Sequence, residues 1–457
     1  MNGKFRLGVR YLCLAAATLF ALATGPSAHA ADTEWIRQFG TIDGEEGLSI
    51  AADNSGHLYV LGRTTVFRTS PPGGNYFEPF LSKLDTAGNM LWTHKIGDQN
   101  TTETNAMAAD GMGNHYVTGA LYDGSDLPRN ETNAYLTKYD PDGIPLWTRT
   151  IELDAYSSGH GASADGLGNI YVAGDVSGGD TTGRDAFVSK FDDAGNLLWT
   201  REFGSTKEDL GRAVAADHLG NVFVVGDTYG DFAGPHLGSP IIFDSYLTKY
   251  DADGNFQWIR PLSTVNWDFA FSVAADGRGN AYVSGASSGD MGGPYLGGFH
   301  DPYILKYDSD GNRLWGRQDG TADADQSFSV AADSQGNAYI AGHTDGKFGA
   351  QEWSLSDAFV AKYDPVGNLQ WVRQFGGDGA QAVAVNHLGE VFTTGDTYDD
   401  LAGINAGRWD VFIAKIVVPE PASITGVVWI LVILSSRRSR RAVRRGTPPT
   451  ASICRRS

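Results

Sequence analysis

Asp175, Asp180 and Asp185, then Asp227 and Asp231, then Asp396, Asp399 and Asp400 punctuate three glycine-rich stretches of the sequence. Oxygen donors gathered in such loops are the set that Ca²⁺ takes, since it needs six to eight oxygens and tolerates irregular geometry. Asp and Gly are equally the ordinary loop formers of an acidic chain. Trp267, Trp353 and Trp409 stand in or beside loops of the same kind, where an indole stacks on a sugar ring or packs the loop itself. His160 and His343 interrupt the pattern beside Asp165 and Asp345, and with the three tryptophans they form the candidate ligand-binding set. No Ser, Cys or Glu repeats a triad geometry around them and no His-Glu-x-x-His pair exists, so no catalytic residue is assigned. Asp251-Ala-Asp253-Gly254-Asn255 and Asp308-Ser-Asp310-Gly311-Asn312 have the opening of a calcium loop but lack its twelfth-position Glu. A hairpin turn accounts for them.

These residues must be positioned by a repeating unit. DAFVAKYDPVGNLQWVRQFG, Asp357 to Gly376, returns as DAFVSKFDDAGNLLWTREFG from Asp185 to Gly204 and as DPYILKYDSDGNRLWGRQ from Asp301 to Gln318. Its tryptophan falls at positions 35, 92, 147, 199, 258, 315 and 371, seven copies with spacings of 52 to 59 residues. Such a period marks units that cannot bury their apolar faces alone. Within a unit, a small-residue strand (Ser329 to Asp333), two alternating strands (Ala338 to Gly342, Asp357 to Asp364) and a Trp-bearing strand (Asn368 to Phe375) form a four-stranded meander. Asp-x-x-Gly-Asn joins the first strand to the second and the third to the fourth, the signature of a type I turn with a G1 bulge. Small inner residues and large outer aromatics give the taper of an all-β, seven-bladed propeller with four-stranded blades. The last unit lacks a fourth strand, and Trp35 to Phe39 is a fourth strand without a blade. The N-terminal strand should therefore complete the seventh blade and close the ring.

Strand direction puts the Asp-x-x-Gly-Asn turns on one face and the loops of varying length on the other, where binding is expected. Lys83, Lys138, Lys190, Lys249, Lys306, Lys362 and Lys415 occupy one position of the third strand, and six have Asp two residues later. That spacing, on one strand face, predicts a structural ring of blade-spanning ion pairs.

The ends differ from the repeats. Lys4, Arg6 and Arg10 precede an apolar run, and Ala28-His29-Ala30 offers a cleavage site, which predicts a signal peptide over 1–30 and a propeller over 31–417. Pro419-Glu420-Pro421 is followed by an apolar stretch to Leu434 and an arginine cluster ending at Arg445, with a basic tail over 446–457. Both cysteines, Cys13 and Cys454, lie in these ends, so the propeller has no disulfide. Setting the end segments aside leaves 24 of 35 basic residues against 54 acidic ones, about −30, which excludes a nucleic-acid binder of the basic kind.

The DAFVxKYDxxGNxxW run with its D-x-x-G-N-x-Y-V-x-G strand pair resembles the SBBP family of bacterial seven-bladed propeller repeats, over about Ala31 to Val417. That family implies the architecture and no catalytic residue. The 418–445 segment resembles a PEP-CTERM sorting signal, with Pro419, Glu420 and Pro421 as its motif, and implies an exosortase-type processing enzyme as partner, a membrane stage before processing, and a cell-surface or extracellular destination. Because such tails imply a polysaccharide-exporting bacterium, the expected function is a non-catalytic scaffold for extracellular polysaccharide or a surface protein, with Ca²⁺ as the one cofactor in view. The D-x-x-G-N-x-x-W unit also resembles the tryptophan repeats of quinone dehydrogenases, which leaves a polysaccharide-degrading or quinone-dependent enzyme as the alternative.

Overall fold

The structure is a computed structural model that describes residues 33–67, 76–97, 101–122, 132–153, 156–177, 183–234, 243–349 and 356–416. The expectations for the signal peptide, the sorting motif Pro419-Glu420-Pro421, the basic tail, Trp353 and Asp180 fall outside these residues.

The Asp-x-x-Gly-Asn turns form because one aspartate satisfies most of the turn's donors. In blade six, Gly336 N–H donates to Asp333 O (2.9 Å), while Asp333 Oδ1 accepts from the amides of Gln335 and Asn337 (both 2.9 Å). The Asn337 side chain closes the turn on Asp333 Oδ2 at 2.7 Å. The strands so joined give seven four-stranded antiparallel sheets. Six are sequential: Gly44–Lys95, Thr101–Ile151, Tyr156–Phe203, Asp209–Leu262, Asp268–Gln318 and Asp325–Gly376. The seventh combines Gly379–Ile416 with the N-terminal strand Thr33–Phe39. That strand lies antiparallel to Asp410–Ile416, from Thr33 opposite Ile416 to Phe39 opposite Val411, and closes the ring as expected.

The core lies between blades. Tyr282, Ile304 and the residues Val330, Ile340 and Phe359 of the following blade form one such cluster. Burying each large side chain contributes roughly 1.5–3 kcal/mol, so separating two blades is costly at every seam.

The lysine ring is structural, but it is not a ring of ion pairs to the aspartate two residues on. Those aspartates are occupied by their own turns, as Asp308 is by the amides of Asp310 and Asn312. Each ammonium instead lies over the aromatic ring of the adjacent second strand, at 4.8 Å for Lys306 over Tyr282 and 5.7 Å for Lys249 over Phe223. Lys83, Lys190, Lys249 and Lys306 also donate to backbone carbonyls of the next blade's turn, Lys138 forms an ion pair with Asp193 of that turn, and Lys415 pairs with Glu34 and Glu390. Ser309 O accepts from both Lys249 Nζ (2.7 Å) and Trp258 Nε1 (3.0 Å), and Gly311 O accepts from Arg260 Nε (2.7 Å). The Arg260 guanidinium rests 5.0 Å from the Trp258 ring centroid. One blade thus holds its neighbour's third-to-fourth turn by lysine, tryptophan and arginine together. Gly311 is needed beneath that grip: its φ is +77°, and an added Cβ would come 2.8 Å from the Trp258 ring and the Arg260 guanidinium.

Candidate ligand site at the axial mouth

Each innermost strand carries a β-bulge at an equivalent position, and that of blade two has a second register break between Thr101 and Glu103. The register breaks between Gly47 and Ser49, Thr104 and Ala106, Gly159 and Gly161, Gly211 and Ala213, Ala270 and Ser272, Ser327 and Ser329, and Ala380 and Ala382. The extra residues are Leu48, Asn105, His160, Arg212, Phe271, Phe328 and Gln381, and all seven are half-buried. A bulge re-aims the added side chain, and small residues on both sides leave it room. Contacts among them run from blade to blade. Asn105 Nδ2 donates to Gly159 O at 3.0 Å beside His160, the Arg212 guanidinium sits 5.9 Å from the Phe271 ring, and Phe271 lies 6.1 Å from Phe328. These side chains therefore encircle the axis. The position is equivalent in every blade, yet its chemistry changes around the ring.

One arc is aromatic. Trp267 stacks on Phe269 at 6.1 Å and 13°, Phe269 on Phe271 at 5.7 Å and 4°, and Phe328 adjoins His343 at 5.3 Å. Trp267, 36% exposed, begins this path on the variable face and Phe328 ends it at the axis. Burial keeps the His343 imidazole below its ordinary pKa.

The opposite arc is polar. Each of three second strands sets a carboxylate beside its own blade's bulge residue: Asp175 bonds His160, Asp227 bonds Arg212, and Asp396 accepts from Gln381. Arg184 also reaches Asp175 (3.3 Å), and Ser245 Oγ donates to Asp227 (2.9 Å). The Arg63 guanidinium holds Glu46 at 2.6 Å, and Glu103 accepts from Ser158 Oγ at 2.8 Å. Arg63, Phe77, Glu103, Asn105 and His160 line a cavity of about 350 Å³ between blades one and two. Burial raises both Asp227 and Asp396, but Asp227 is paired with Arg212, whereas the charges beside Asp396 are acidic. Burial first, then the charges of Glu46 and Asp378, push the Asp396 carboxyl up to about 7.

The sequence-derived candidates divide accordingly. Trp267, His160, His343, Asp175, Asp227 and Asp396 come together around the mouth. His160 pairs with Asp175 rather than Asp165, whose carboxylate accepts from Leu167 N (2.8 Å) within its own turn. Trp409 packs the loop beside the ring closure: its ring would lie 2.3 Å from a Cβ on Gly44, and Phe67 and Tyr398 stand 5.7 and 5.6 Å away. Asp185 heads a third strand near Asp209, both within 2.7 Å of a Cβ placed on Gly204. Asp231 lies in a loop where its carbonyl accepts from Gly234 N (3.1 Å), Asp399 O accepts from Gln38 Nε2 (3.0 Å), and Asp400 accepts from Asn405 N (2.8 Å). Among the described residues no three His, Cys, Asp or Glu side chains converge to hold a metal ion. Sequence reasoning missed Leu48, Asn105, Arg212, Phe271, Phe328 and Gln381. Their signal was a single variable column between two columns of small residues.

Residues 198–233 and 314–349 match the SBBP family model, described as a beta-propeller repeat. The chain is built of beta-propeller repeats. Each matched SBBP segment runs from the Trp-bearing strand of one blade through the bulged first strand and the second strand of the next. Among curated relatives, the chain is 25% identical to an uncharacterized WD repeat-containing protein of Acanthamoeba polyphaga mimivirus, over 84% of the chain and 37% of the relative. It is 27% identical to the regulatory protein FlaEY of Caulobacter vibrioides, over 53% of the chain and 27% of that protein. The chain thus spans well under half of the length of these relatives. Similar solved structures include the Neurospora crassa Pan2 WD40 domain, with 10% identity, coverage of 86% and 98%, and a TM-score of 0.47. The β-propeller domain of the Pyrococcus furiosus trilobed protease also overlaps, with 10% identity, coverage of 84% and 94%, and a TM-score of 0.45. Nothing functional passes from these structures to this chain.

Proposed function

We propose that this protein is an exported, surface-bound binding propeller that holds extracellular polysaccharide at its axial mouth without cleaving it. The observation that carries this reading is the seven-residue bulge ring, where equivalent positions have diverged into an aromatic arc facing a polar one. A rigid scaffold repeats its side chains, whereas a recognition surface varies them against a constant backbone. The Trp267–Phe269–Phe271–Phe328 path offers flat apolar faces of the kind on which sugar rings stack, and the polar arc supplies hydrogen-bonding groups opposite. The sorting-type tail supports the surface location.

One observation favours a second reading. Asp396, raised to about 7 beside Glu46, has the protonation that a glycosidase acid requires. Against it, Glu46 is held by both Nε (2.9 Å) and Nη2 (2.6 Å) of Arg63, which commits the base or nucleophile such chemistry needs.

Co-sedimentation of the protein with the producing organism's extracellular polysaccharide, with and without Ca²⁺, followed by sizing of the polymer, tests both. Retention of intact polymer is expected, and Phe271→Ala or Phe328→Ala should each weaken it about five- to tenfold by removing one stacking face. Shortened polymer would establish the enzyme, and retention by both alanine variants equal to wild type would move the site off the axis.

A further inference from the structure

Blade seven interrupts the mouth with a missing side chain. At the position two residues before each bulge residue, the other blades carry Glu46, Glu103, Ser158, Leu210, Phe269 and Gln326, and blade seven has Gly379. The absent Cβ would sit at ordinary contact distance from three side chains: 3.5 Å from Phe328, 3.6 Å from Gln381 and 3.6 Å from His343. Asp396 is the cross-strand partner of Gly379, so its side chain rises on the same face of the sheet. Gly379 therefore leaves a notch no wider than one small side chain, closed in by Phe328, Gln381 and His343, on the sheet face that also carries Asp396.

The charges around this notch are unbalanced. Arg63 is engaged by Glu46, Arg212 by Asp227, and Arg184 and His160 by Asp175. The groups facing Asp396 are Glu46, Asp378 and the neutral Gln381, and His343 across the notch is held toward its neutral form by burial. No cation is paired with Asp396 among the described residues. An aromatic face beside a carboxyl that has no cationic partner attracts an ammonium through the ring quadrupole and through the ion pair formed as that carboxyl gives up its proton.

We infer that the ring bound at the mouth is an amino sugar, seated on the Phe328–Phe271 faces with its ammonium in the Gly379 notch against Asp396. This rests on the reading of the mouth as a glycan-binding site. A sugar suits the site better than an isolated ammonium because the aromatic path continues from Phe328 through Phe271 and Phe269 to Trp267, a succession of faces for successive rings. N-acetylation would remove the charge and place an amide in a notch sized by the loss of one side chain.

The test is calorimetric titration of the full-length chain with a glucosamine trimer and, separately, its fully N-acetylated form, at about pH 7 and about 0.15 M salt to screen the protein's general acidity. The amino trimer should bind at least about tenfold more tightly, Asp396→Asn should bring the two within about twofold, and Asp253→Asn, an exposed carboxylate on the turn face, should leave the preference intact. Equal affinities in the wild type, both lost in Phe271→Ala, would overturn the amino-sugar inference while leaving the glycan mouth standing. Binding of neither trimer would sink both. A preference that survives Asp396→Asn, or a tri-lysine peptide that binds as tightly as the amino trimer, would also overturn the inference.

Discussion

Replacing Asp396 with Asn removes a charge that the folded state holds at a loss. In the unfolded chain this carboxyl titrates near its ordinary 3.8, and in the native protein near 7. Between those values the native state keeps a proton that the unfolded state has released, so native stability falls as pH rises through this window. About three units at about 1.4 kcal/mol each set a ceiling of about 4 kcal/mol, and partial solvent access reduces that to about 1–3 kcal/mol. Asn preserves the size of the side chain and its hydrogen bond with Gln381 but does not ionise. The variant should therefore match the wild type at pH 4 and be more stable by about 1–3 kcal/mol at pH 8, or about 2–5 °C in melting midpoint for a chain of this size. Paired thermal melts across that range measure it, and taking the variant-minus-wild-type difference cancels the other titrating groups. A gap that stays constant with pH, or a variant less stable at pH 8, would refute the claim that Asp396 is an uncompensated anion. The same destabilisation gives an ammonium ligand something to relieve.

His115 makes the opposite case. Its ring is fully buried with neither nitrogen bonded, and burial, with the Lys83 charge second among the lowering causes, holds its pKa near 3. The unfolded state takes up its proton first on acidification, so stability falls below pH 6.5, and His115→Leu should retain up to about 3 kcal/mol more than wild type at pH 4.5 in urea titrations. Gly311→Ala forces a positive φ on a side chain that meets Trp258 and Arg260, and should cost about 2–4 kcal/mol by the same assay. Lys306→Met keeps the stem over Tyr282 but loses the bond to Pro365 O (3.3 Å), for about 1–2 kcal/mol. Deleting Thr33–Phe39 exposes the Asp410–Ile416 edge, and light scattering should then show association that the closed ring does not.

Blade number, turn type and ring closure were legible because they repeat. Trp258, Asp308 and Gly311 recur with their equivalents at fixed offsets, and the orphaned fourth strand at Trp35 could only belong with the incomplete last unit. The lysine ring was legible as a ring and misread as to its partner. Alternation puts Lys306 and Asp308 on one strand face, but Asp308 lies where the strand becomes a turn, and two nearby backbone amides outcompete a lysine whose nearest face is an aromatic ring. The mouth was legible only in part. Asp175, Asp227 and Asp396 stood out as acidic residues in glycine-rich context, without any sign that they share one structural position. Phe271 and Arg212 were missed because a bulge residue has no partner across the sheet and obeys no alternation.

The seam between Thr33–Phe39 and Asp410–Ile416 also sets how the molecule would respond to pulling. Thr33 and Ile416 face each other at the turn-face end of that sheet, so the first and last described residues lie side by side, on the side away from the mouth. Tension applied at residue 417 runs along the strand axis and loads the hydrogen bonds on both edges of Asp410–Ile416 together, in shear, instead of peeling them one at a time. A load along that strand would be shared by the two strands flanking it, with the mouth on the opposite side of the ring.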